Sequence, residues 1–142
     1  VMEGKTVPSP GNDLEAMLAP LQVLDRSMLD SLASFTSPEE FGELMQTFLA
    51  TGRQRVAQMG TAREGNDLNR LRREAHSLIS LVGNLGLIRL QTLAQKLEIA
   101  LLDNKQDEAE ILLVSLQAHA PEGWAAAERL LQDMQAPGAA AQ

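Results

Sequence analysis

Residues 67–104 read DLNRLRREAHSLISLVGNLGLIRLQTLAQKLEIALLDN. Leu68, Leu71, Ala75, Leu78, Val82 and Leu85 recur at steps of 3, 4, 3, 4 and 3. That is the spacing of a helix with one side buried in a bundle. Asn84 and Gly86 interrupt the run, and Leu90, Leu93, Leu97, Ala100 and Leu101 resume it as far as Asp103-Asn104. So short a connection makes the two helices antiparallel neighbours.

Upstream, Ser37-Pro38-Glu39-Glu40 combines an N-cap, a proline at the first helical position and acids at the positive end of the helix dipole. Phe41, Leu44, Met45, Phe48, Leu49, Val56 and Met59 then carry a helix to the Gly65-Asn66 turn. A shorter helix is expected over 20–33, with Val23, Leu24, Met28, Leu29 and Leu32 on its apolar side. Downstream, a helix starts near Asp107 and turns Ala109, Leu112, Leu113 and Leu116 inward. Pro121 is expected to break or kink it before Trp124, Ala127, Leu130, Leu131 and Met134 resume. Strand signals are missing. The expected fold is all-α, an antiparallel up-down four-helix bundle with a short extra N-terminal helix. The bundle should cover 20–136, after a linker or flexible segment 1–19 and before a flexible tail 137–142.

The 142 residues, 44% of them apolar, amount to one domain with a real core. Without cysteine, and with only His76 and His119, the chain has no disulfide, no thiolate site and too few ligands for a histidine zinc site. No cofactor or metal is expected. A net charge of -7 with 3% aromatic residues argues against nucleic acid and anionic membranes as partners. No apolar run is long enough to span a bilayer. No apolar signal segment follows Val1-Met2, and the absence of cysteine suits a reducing compartment, so a cytoplasmic location is expected.

On a helical wheel the seam from Leu68 to Leu85 centres roughly 130° from His76, so this histidine faces outward. Within about 60° of it lie Asn69, Arg72, Arg73, Ile79, Ser80 and Gly83. A largely unprotonated imidazole is a competent nucleophile for phosphoryl transfer, and neighbouring guanidinium groups would offset the dianion it acquires. Small Ser80 and Gly83 would let a partner's active site come close. Residues 51–76 hold six arginines against three acids, a local +3 in an otherwise acidic chain, which suits an acidic partner.

The stretch Glu74–Leu97, EAHSLISLVGNLGLIRLQTLAQKL, followed by Glu98, resembles the histidine-containing phosphotransfer (HPt) domain of bacterial phosphorelays. That family's pattern runs Ala-His-x-Leu-Lys-Gly, then Gly-Asn-Leu-Gly and a leucine-rich helix ending in Leu-Glu. The register matches without a gap, and looser similarity extends over about Leu24 to Met134. The resemblance implies a four-helix bundle in which His76 is the phosphoacceptor. The phosphoryl group would come from a receiver-domain phosphoaspartate and pass to another receiver domain. Its implied partners are response-regulator receiver domains, with a hybrid sensor kinase as a further candidate; Mg²⁺ would sit on the receiver, and a monomer is expected. Ile79 stands where the family has lysine and Ser80 where it has glycine. The first removes a cation beside the phosphate, leaving that role to Arg72 or Arg73.

A rival reading is a non-phosphorylated adaptor bundle that binds a receiver or kinase through the same face, for which Ile79 is the best support. An autonomous enzyme lacks paired acid and base, metal set and nucleotide loop, since Gly83-x-x-Gly86 has neither the spacing nor the lysine of a P-loop. His119, before Ala120-Pro121, reads as structural or incidental.

Overall fold

The computed structural model describes residues 10–135, with side chains from Asp13 onward. Every regular element among them is a helix: α1 (Pro10–Leu18), α2 (Arg26–Ala33), α3 (Pro38–Glu64), α4 (Leu68–Asn84), α5 (Ile88–Leu102) and α6 (Gln106–Gln135). The long helices α3 to α6 form the bundle, each packed on the next and α6 closing back on α3. None of the described helices is long and apolar enough to cross a membrane.

Helix ends lie where the sequence signals them. The Ser37 hydroxyl accepts the Glu40 N–H at 3.1 Å and the Glu40 carboxylate accepts the Ser37 N–H at 2.9 Å, a reciprocal cap. The Asp67 carboxylate accepts the Arg70 N–H at 3.1 Å and starts α4. The three connections within the bundle all close in one way, with a left-handed residue after the helix: Asn66 (φ 54), Gly86 (φ 74) and Asn104 (φ 57). In each, the next N–H reaches back to the carbonyl five residues earlier, Asp67 to Ala62, Leu87 to Val82 and Lys105 to Ala100. These tight closures force antiparallel neighbours.

The expected seams form the core. Leu71, Ala75, Leu78, Val82 and Leu85 of the α4 seam are buried, as are Leu90, Leu93, Leu97 and Ala100 of α5. Leu68 is half-buried.

The expectations for the N-terminal segment fail in part. Residues 10–18, read as linker, are helix α1, and the helix expected over 20–33 begins only at Arg26. Leu14 and Leu18 of α1 are buried against the bundle, but two leucines four apart make too short a pattern to register as a helix. Between α1 and α2 the backbone is held by the bundle instead: Arg89 donates to the carbonyls of Leu21 (2.8 Å) and Ala19 (3.3 Å), and the Asp25 N–H donates to Gly86 O at 2.6 Å. Asp25 then caps α2 through the Ser27 N–H. Met28, expected on the apolar side of α2, is exposed. The remainder of the expected linker, 1–9, and the tail 137–142 lie outside the described residues.

Pro121 does not break α6, which runs through it to Gln135. Proline in a helix interior costs about 3 kcal/mol. Pro121 faces solvent, while Leu116, Ala120, Gly123 and Trp124 around it are buried and lock both halves to the bundle.

Candidate functional site

The seam that buries Ala75 and Leu78 turns the intervening face of α4 to water, and the His76 side chain is 70% exposed there. From the adjacent helix α5, Glu98 places Oε2 2.7 Å from His76 Nδ1, and the Glu98 side chain is only 18% exposed. A carboxylate at that distance favours the tautomer with its proton on Nδ1. The other ring nitrogen, Nε2, then carries the lone pair.

Of the residues expected around His76, Arg73, Asn69 and Ser80 are exposed and Arg72 and Gly83 half-buried. Side chains in a helix lean toward its N-terminus, so the imidazole lies over the turn that bears Arg72 and Arg73. Ile79 is half-buried and packs on the core, leaving no cation on the C-terminal side of the ring at that position.

The basic cluster is smaller than sequence counting suggests. Arg53 pairs with Glu128 at 2.9 Å, Arg55 with Glu74 at 2.9 Å, and Arg63 with Glu110. Glu128 and Glu110 arrive from α6, and these two acids take the local excess of +3 down to +1. Among the described residues, Arg70, Arg72 and Arg73 form no ion pair, so the unpaired cations concentrate in the first turns of α4, before His76.

A Cβ at Gly83 would come within 2.5 Å of the Gln91 amide nitrogen and 3.2 Å of its Cδ, so the end of the Gln91 side chain on α5 covers this glycine and would have to swing aside. Gly86 is more tightly constrained, because an added Cβ would run into the Asp25 carbonyl.

Glu98 is the site residue that the sequence reading did not single out. His119 is structural: its Nε2 lies 2.9 Å from Glu15 Oε1, while the Ser115 hydroxyl donates to Glu15 Oε2 at 2.9 Å, joining α6 to α1. The His119 and Ser115 hydrogen bonds hold the Glu15 carboxyl below the usual glutamate range.

Residues 43–136 match the family model described as "Hpt domain". No curated protein matches the chain significantly. Among solved structures, the chain is similar to histidine-containing phosphotransfer protein B (HptB) from Pseudomonas aeruginosa PAO1, with a TM-score of 0.72 at 22% identity. The alignment covers 79% of this chain and 96% of that one, a likeness of fold. The family match spans most of α3 and all of α4, α5 and α6, the helices that carry and support His76, and the chain belongs to the Hpt domain family.

Proposed function

We propose that this protein is a phosphorelay intermediate in which His76 accepts a phosphoryl group from a receiver-domain phosphoaspartate and passes it to a second receiver domain. The observation that carries this reading is the exposed imidazole with Glu98 on its Nδ1. Nε2 attacks phosphorus, the bond from phosphorus to the aspartate oxygen breaks, and the receiver's carboxylate is regenerated. The imidazole gains positive character as the Nε2–P bond forms, and the Glu98 carboxylate beside Nδ1 offsets it. Arg72 and Arg73 balance the phosphoryl dianion from the N-terminal side of the ring, taking the part that Ile79 cannot play. Mg²⁺ and the acidic cluster of this chemistry belong to the receiver. The protein acts as a monomeric cytoplasmic carrier and not as a kinase.

The test is incubation with a phosphorylated receiver domain, following label onto the chain. The expected product is acid-labile, base-stable phosphate on the wild type and none on His76→Gln. Label retained by His76→Gln moves the site elsewhere. Absence of label on the wild type with several receivers, together with binding to them, favours the adaptor that Ile79 suggests.

A further inference from the structure

Away from the histidine, the strongest unexplained feature is a groove between α1, α5 and α6. Leu14, Met17, Ile99, Ile111 and Leu112 line it, around a volume of about 540 Å³. Met17 is 36% and Ile99 56% exposed. Two of the six large apolar side chains exposed among the described residues, Met17 and Ile99, line the groove, and a third, Val114, lines a neighbouring hollow that shares Leu14 and Ile111 with it. Exposed apolar side chains gathered in this way mark an interaction surface more often than chance.

Charge selects the occupant. Asp13, Asp107 and Glu108 stand around the groove against a single cation, Lys96. Neither Asp107 nor Glu108 forms an ion pair among the described residues, whereas six of the chain's basic residues lie within 51–76. We propose that the groove binds a cationic amphipathic helix of a partner protein. Two or three of its apolar side chains, spaced i, i+3/i+4 and i+7, would enter between Met17 and Ile99, and its Lys or Arg residues would face Asp13, Asp107 and Glu108. A second copy of this chain suits the groove poorly: groove on groove would set acid against acid, and α4, which carries the unpaired arginines, has no exposed large apolar side chain to enter it. An anionic lipid surface is repelled for the same reason.

On α5, Lys96 and Ile99 are turned roughly 100–160° from Glu98, so the groove opens on a different side from His76. Its occupant leaves the histidine accessible. The inference does not depend on the phosphotransfer reading and stands even if His76 never carries phosphate.

The probe is a synthetic helical peptide with leucines at i, i+4 and i+7 and lysines elsewhere, titrated into the full chain by calorimetry and followed in backbone amide spectra. A second peptide has glutamates in place of the lysines. The lysine peptide is expected to bind and to shift resonances of α1 and of residues 96–112, with Ile99→Gln weakening it at least about tenfold. Asp107→Lys combined with Glu108→Lys should weaken it several-fold and reduce its salt dependence. Equal affinity for Ile99→Gln, shifts scattered over the acidic surface, or equal binding of the glutamate peptide would overturn the proposal. Concentration-dependent dimerisation that Ile99→Gln abolishes would make the occupant a second copy and overturn it as well.

Discussion

His76 of α4 and Glu98 of α5 lie equally far along the chain from Leu87, and the Gly83–Gln91 contact is centred on the same residue. The α4–α5 hairpin therefore has one register over three helical turns, fixed by the left-handed Gly86 turn. The pairing of imidazole and carboxylate follows from that register. Replacing Glu98 should disturb the tautomer without disturbing the fold. Glu98→Ala is expected to slow phosphoryl acceptance by roughly 10- to 100-fold, the range seen when a metal-bound imidazole loses its orienting carboxylate. Circular dichroism should be unchanged, and nitrogen chemical shifts of His76 should show a mixed tautomer. An unchanged rate would remove Glu98 from the site.

In the proposed transfer Arg72 and Arg73 act through charge, and charge near the surface is screened by salt. The Arg72→Ala, Arg73→Ala double variant should transfer more slowly from a phosphorylated receiver, and its rate should depend less on ionic strength than that of the wild type. Matching salt profiles for the two proteins would show that these arginines are merely solvated.

Gly86 combines φ +74 with a Cβ position already taken by the Asp25 carbonyl. Gly86→Ala therefore meets both backbone strain and a clash with backbone. A loss of about 1–3 kcal/mol is expected in urea denaturation.

Pro121 offers the opposite outcome. It is exposed and interrupts the hydrogen-bond ladder of an otherwise continuous helix. Pro121→Ala restores the N–H and relieves the ring's clash with the preceding turn, so a gain of roughly 1–3 kcal/mol should appear in the same measurement. A loss would mean that the proline serves packing.

Acid should loosen α1 first. The Glu15 carboxyl is held below its usual 4.5, chiefly by His119 and then by Ser115. A depressed folded value means that the bridge contributes stability above pH 4.5 and loses it as pH falls through the lower folded value. Glu15→Gln should flatten this part of the acid limb in thermal melts and hydrogen exchange of α1. Asp25 and Glu40, lowered by Ser27 and Ser37, keep the limb from vanishing.

The bundle was legible because Leu68 to Leu101 carries a long uniform period and Ser37, Asp67 and Gly86 punctuate it with local signals. Helix α1 was not, since Leu14 and Leu18 have meaning only against the α6 surface that receives them. The continuity of α6 through Pro121 is likewise tertiary, a local penalty outweighed by burial on both sides. At the site, the outward direction of His76 followed from the wheel alone. The neutralisation of Arg53 and Arg63 by α6 acids could not be read from a stretch of neighbouring residues. Glu98 was within reach: once Gly86 fixes the turn, counting outward from Leu87 leads to it.

Helix α4 is fastened at its start by the Asp67 cap and at its finish by the Gly86 closure, with His76 midway on its exposed face beside Glu98 of α5. A phosphoryl group taken up by His76, as proposed, touches neither fastening, and its added charge would be sensed by contact on that face.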